Sequence, residues 1–184
     1  MKERIEQVLR TTERAGIEDL LEWMDQNGFY SAPCSTKYHF SKPGGLAEHS
    51  LNVFGNAIRL TTALYNDCKN ITFDFIDSVT ICALLHDIGK VGQFGKENYV
   101  INTDPENPAP YCTNKDLLFV PHEIRSIAIL SKFIDLTEEE QFAILYHNGL
   151  YGELKSFKGK ETPLYMIIHA ADMWASRVTE REEK

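Results

Sequence analysis

Residues 84–90, Leu-Leu-His-Asp-Ile-Gly-Lys, close an apolar run that starts near Phe73 and set a histidine, an aspartate and a lysine within five positions. An unpaired carboxylate is costly in apolar surroundings, and a buried imidazole needs both ring nitrogens satisfied. The stretch therefore implies something that binds these groups. Its apolar residues run nearly all round a helical wheel, which predicts a central helix from about Phe73 to Ile88, closed by Gly89 in a left-handed turn.

Working outward, an earlier helix is predicted from about Leu46 to Tyr65, with Val53, Ala57, Leu60 and Leu64 as its apolar stripe. His49 lies four residues before Val53 and so joins that stripe. The preceding FYSAPCSTKYHFSKPGG, residues 29–45, is dense in Ser, Pro and Gly and reads as a loop. At the start of the chain, Ile5, Val8, Leu9, Thr12 and then Ile17, Leu20, Leu21, Met24 give two amphipathic helices broken near Gly16.

On the other side, periodicity disappears between Val91 and Lys115, where NYVIN and APYCT flank a turn and suggest a short β-hairpin around 97–113. Helical pattern resumes near Asp116 or Pro121 and continues to about Ile134. Thr137 and Glu140 form a capping-box signature for a helix through about His147. Thr162 and Pro163 begin another over LYMIIHAADMWASRV, and the tail REEK reads as solvated charge. The sum is an all-α helical bundle, expected as a single domain over 1–184 with residues 1–30 as N-terminal helices packed on the core.

A formal charge of −8 argues against strong nonspecific binding of nucleic acid, which depends on many Lys and Arg meeting phosphates. Small anionic substrates remain compatible if a metal supplies positive charge. Cys34, Cys68, Cys82 and Cys112 form no CxxC pair and read as free thiols in a reducing compartment. No stretch has the character of a secretion signal or a membrane span, so a cytoplasmic location is expected.

Five of the six histidines, His49, His86, His122, His147 and His169, fall in or beside apolar helices, and Asp87 and Asp172 share that setting. Imidazole with carboxylate and no thiolate is a ligand set for Zn, Mn, Fe, Ni or Mg. His86 and Asp87 diverge by about 100° on a helix, so each can face one flank of an ion lodged there.

The order His49, His86-Asp87, Asp172 resembles the HD superfamily of metal-dependent phosphohydrolases, an all-helical fold with ligands in the order H, HD, D. The strings GGLAEHSLNV, ALLHDIGK, PHEIRSIAIL, YHNGLYGE and PLYMIIHAADMWAS are similar to the HD domain of bacterial 3′→5′ exoribonucleases that join it to an OB-fold. The resemblance covers residues 38–177, expected as the metal-site core. No OB-fold is expected before it from residues 1–37, and the sequence departs from the relatives' pattern at Asn148, where they carry a histidine, and near Ala175, where they carry an acid.

The resemblance implies that His49, His86, Asp87 and Asp172 hold one divalent cation. Asp87 then bridges to a second held by His122 and His147, unless those two only hydrogen-bond to substrate. The implied function is hydrolysis of a phosphate ester in a nucleotide or short oligonucleotide by metal-activated water, with 3′→5′ exonuclease activity or nonhydrolytic nucleotide sensing as alternatives. Lys90, one turn beyond His86, is placed to touch a phosphate oxygen.

Several residues carry two readings. His39 either reaches substrate from its loop or lies exposed, and Lys155, with Lys158 and Lys160, forms either a phosphate-attracting rim or a solvated loop. His169 either orients Asp172 or is structural, and Glu48 and Arg125 act as acid and phosphate clamp or sit at the surface. The late aromatics Tyr146, Tyr151, Phe157, Tyr165 and Trp174 either stack a base or pack, and Tyr165 and Trp174 are expected in the core.

Overall fold

The computed structural model describes residues 1–65, 72–149 and 159–181. The elements are α1 (Lys2–Arg10), α2 (Ile17–Gln26), α3 (Gly45–Leu64), α4 (Phe73–Leu85), a 3-10 segment (Ile88–Val91), β1 (Gly92–Gln93), β2 (Lys96–Glu97), β3 (Tyr99–Ile101), β4 (Tyr111–Thr113), α5 (His122–Leu130), α6 (Glu138–Tyr146), α7 (Pro163–Trp174) and a π-helical turn (Ala175–Thr179).

Helix α4 is the hub. Its residues Val79 through Leu85 are all buried, as its all-round apolar sequence requires. It packs on α1, α3, α6 and α7, while α7 also packs on α3 and α6. Each fully buried Leu or Ile contributes roughly 1.5–3 kcal/mol, and Leu84, Leu85, Ile81, Leu46 and Ile129 supply that here.

Sequence-readable signals mark several helix ends. Gly16 turns the chain between α1 and α2 at φ 85°, where a Cβ would lie 1.8 Å from the Phe133 carbonyl oxygen. Thr137 and Glu140 form the capping box of α6, and Thr162 caps α7 ahead of Pro163. The expected hairpin is β3–β4, with Tyr99 opposite Thr113, and a second small antiparallel pair, β1–β2, precedes it.

The end of α4 differs from expectation. The helix stops at Leu85 rather than Ile88, and Gly89 does not take a left-handed conformation. Glycine is needed there for close approach: a Cβ would lie 2.2 Å from the His122 carbonyl oxygen, and the Gly89 N–H donates to Ser126 Oγ at 2.8 Å. This contact draws the chain onto α5 and turns it between His86 and Asp87. Other departures are Leu64, 69% exposed at the end of its expected stripe, and Trp174, 58% exposed where core packing was expected.

Glu140 ties the first helices to this core. Its buried carboxylate accepts from Arg14 Nη1 and Nη2 at 3.1 and 2.8 Å, from Ser78 Oγ at 2.8 Å and from the Thr137 N–H at 2.8 Å.

Candidate metal centre

The turn after α4 aims Asp87 into the space between α3, α5, α6 and α7. Asp87 Oδ2 lies 3.5 Å from His49 Nε2 and 3.5 Å from His86 Nε2, whereas Oδ1 lies 3.1 Å from His122 Nε2 and 3.5 Å from His147 Nε2. Asp172 Oδ1, from α7, stands 3.2 Å from His49 Nε2. Four imidazoles thus surround the Asp87 carboxylate, with Asp172 beside one of them, and of these six residues all but His122 are buried.

Each fully buried imidazole has its orientation fixed from behind. His86 Nδ1 donates to the Ala83 carbonyl at 3.1 Å and His147 Nδ1 to the Ile144 carbonyl at 2.7 Å. His49 Nδ1 donates to Glu180 at 3.0 Å, and Asn52 Nδ2 also donates to Glu180, at 3.0 Å. With Nδ1 used as a donor, Nε2 is the nitrogen each ring turns toward the others.

Convergence of lone pairs and carboxylates is repulsive unless positive charge lies between them. Consistent with that, His49 Nε2, His86 Nε2 and Asp87 Oδ1 are buried with no hydrogen-bond partner. The donor separations of 3.2–3.5 Å in the His49, His86, Asp87, Asp172 set match the ~3.4 Å edge of a tetrahedron with bonds of about 2.1 Å. Ligand atoms of His49, His86 and Asp172, and those of His86, Asp87 and His147, lie within 4.8 Å of one another in each group. These residues fit one or two divalent cations.

The electrostatics point the same way. Burial opposes charge on Asp87, yet Lys90, with Nζ 2.6 Å from Oδ2, and the neighbouring imidazoles hold the carboxyl well below its usual range. Burial also opposes charge on His49, but Cys34 and the carboxylates of Asp172 and Glu180 raise it well above an ordinary imidazole, so without an ion a proton occupies Nε2 and a cation binding there displaces it. Burial pushes His86 down to about 3, so it is a neutral donor. Burial opposes ionisation of Asp172 too, and His49 outweighs it, keeping that carboxyl low.

The family of HD domains matches residues 46–175, a span that contains all six of these side chains. The chain belongs to the HD domain family. HD domains are mostly metal-dependent hydrolases, and the His and Asp groups of this one are compatible with a divalent metal. Comparison with curated proteins and with solved structures gave no match. No helix of the described residues is long and apolar enough to cross a membrane.

Other sequence expectations for this HD domain fare differently. Lys90 pairs with Asp87 Oδ2 at 2.6 Å, and it also lies 3.9 Å from Cys34 Sγ. His39 is half-buried, 3.3 Å from Cys34 Sγ and with its ring 5.0 Å from that of His49, so its loop folds against the centre. Lys155 and Lys158, with Tyr151 and Phe157, lie outside the described residues, and Lys160 is exposed. Glu48 pairs with Lys42 at 2.7 Å.

His169 does not orient Asp172. It bonds the His147 carbonyl at 2.6 Å, because Gly149 leaves room for the ring: a Cβ there would lie 2.3 Å from His169 Cε1. Arg125 is neither a clamp nor a surface group; it is buried and holds the Gly89 carbonyl at 3.2 Å and Asn98 Oδ1 at 2.7 Å. Asn148 packs its amide against Glu123, 3.5 Å from His122 Nε2.

Two residues at the centre escaped the sequence reading, Glu180 and Cys34. Glu180 lies eight residues after Asp172, about two helical turns along the same face, but a charge run follows and disguises it. The π-turn delivers it: the Glu180 N–H bonds the Ala175 carbonyl at 2.9 Å, a five-residue step. Cys34 carried no spacing signal at all.

Proposed function

We propose that this HD domain is a phosphohydrolase that cleaves a phosphate ester of a nucleotide or short oligonucleotide, using one or two divalent ions. His49, His86, Asp87 and Asp172 would hold one ion, and Asp87, His122 and His147 the other. The observation that carries the reading is the division of Asp87: one oxygen faces His49 and His86, the other faces His122 and His147. A carboxylate so placed is suited to bridge two cations.

When bound, such ions supply Lewis-acid charge and lower the pKa of water to about 7. The chain's own contribution is orientation. Ala83, Ile144 and Glu180 fix which nitrogen each histidine offers. Lys90 balances part of the negative charge of Asp87 and holds it against the helix end. His122, 26% exposed at its side chain, marks the side from which a phosphate enters, and His39 stands beside His49.

Motif strings similar to those of OB-fold/HD exoribonucleases favour 3′→5′ exonuclease activity as the second reading. The net charge of −8 favours a small substrate over a long strand. The test is hydrolysis of a nucleotide and short-oligonucleotide panel with added Mn, Ni or Zn, against the Asp87→Ala variant. Metal-dependent turnover lost in the variant supports the reading. Tight nucleotide binding with no turnover under any metal would replace it with a sensor role.

A further inference from the structure

We propose that Cys34, His39 and His49 form a sulfur-bearing seat for a thiophilic divalent cation such as zinc or cadmium, exclusive with the seat made by His49, His86 and Asp172. The exclusivity rests on the metal centre proposed above; the sulfur seat itself does not. Ligand atoms of Cys34, His39 and His49 lie within 4.8 Å of one another, with Cys34 Sγ 3.3 Å from His39 Nε2. Cys34 and His49 are both 0% exposed.

The second observation is the state of His49. Its Nδ1 is committed to Glu180 at 3.0 Å, and its Nε2 is buried with no hydrogen-bond partner. His49 therefore has one nitrogen to give, and two donor sets flank it: Cys34 and His39 on the loop before α3, His86 and Asp172 on α4's end and α7. One lone pair serves one ion at a time.

Ligand softness decides which ion goes where. Thiolate with imidazole selects zinc-like ions, whereas imidazole with carboxylate accommodates manganese or magnesium. Binding at the sulfur seat releases the Cys34 thiol proton to solvent and leaves a thiolate on the metal. Lys90, 3.9 Å from Cys34 Sγ and 2.6 Å from Asp87 Oδ2, stands beside both seats. A thiophilic ion thereby withdraws His49 from the seat that Asp172 shares, and the domain discriminates among metals through a residue outside the ordered His and Asp set.

The experiment titrates the full chain with cadmium, following thiolate-to-cadmium charge-transfer absorption in the ultraviolet, and follows manganese binding by electron paramagnetic resonance. The native chain is expected to develop the band to a single equivalent while releasing bound manganese. Cys34→Ser is expected to lose the band and keep manganese, His39→Ala to weaken the band, and Asp172→Asn to keep it. A full band in Cys34→Ser, or bound cadmium without a band in the native chain, would overturn the proposal, as would loss of the band in Asp172→Asn. If the native chain binds no manganese yet shows a band that depends on Cys34, the nitrogen and oxygen centre fails and the sulfur seat stands.

Discussion

Asp87 and Glu140 are both buried carboxylates with a cation beside them, and they differ in how completely their oxygens are used. Glu140 is saturated: Arg14 forks onto both oxygens, and Ser78 and the Thr137 N–H complete the set. Asp87 has Lys90 on one oxygen, while the other is buried without a hydrogen bond and faces imidazole nitrogens. A saturated buried charge holds structure together, and an unsaturated one facing lone pairs is built for a ligand the chain does not itself supply.

The sharpest way to break this contrast is to remove each carboxylate in turn. Asp87→Ala is expected to lower kcat/KM on a responsive phosphate ester by at least about a thousandfold, ~4 kcal/mol, in steady-state assays with saturating metal. It should also abolish the stabilisation by metal, which at a hundredfold excess over Kd is about 2.7 kcal/mol in thermal unfolding. Glu140→Ala should cost roughly 3–5 kcal/mol in urea unfolding, the range for breaking a buried pair, while folded protein keeps its metal-induced rise in Tm.

A finer comparison lies within the centre. Glu180→Gln removes the carboxylate behind His49 and should weaken metal binding by about 10–100-fold in equilibrium dialysis, with the fold retained by circular dichroism. His122→Ala is expected to remove only one of two bound equivalents, since His122 faces Asp87 Oδ1 and not Oδ2. His49→Ala should disturb the other.

The smallest effect is on pH. Burial opposes ionisation of Glu140, but Arg14 and the Thr137 and Ser78 bonds hold its pKa below the ordinary carboxylate value. Its stabilising contribution is therefore complete above the unfolded-state pKa near ~4.3 and is lost as pH falls through the lower folded value. Native protein and Glu140→Ala should converge in urea midpoint below about pH 4, and a constant gap across that window would show that packing rather than charge is responsible.

Much of the architecture was legible because its causes are local. The stripe Ile5, Leu9, Ile17, Leu20, Met24, the capping box at Thr137 and the Thr162-Pro163 entry are all written within a turn or two of where they act. Convergence of His49, His86, Asp87 and Asp172 could be anticipated from ligand chemistry and order. What sequence hid depends on distant contacts. The break at His86 arises from Gly89 meeting α5, Arg125 braces that same joint, His169 serves the His147 carbonyl, and the π-turn brings Glu180 to His49. Cys34 reads as an ordinary thiol until the loop is seen to fold it against His39 and Lys90.

The central claim is that Asp87 lies between two cations. Anomalous diffraction from crystals grown with manganese tests it most directly. The account predicts two peaks, one against Asp87 Oδ2 with His49, His86 and Asp172, and one against Oδ1 with His122 and His147. Manganese bound elsewhere, with no peak touching Asp87, would contradict it.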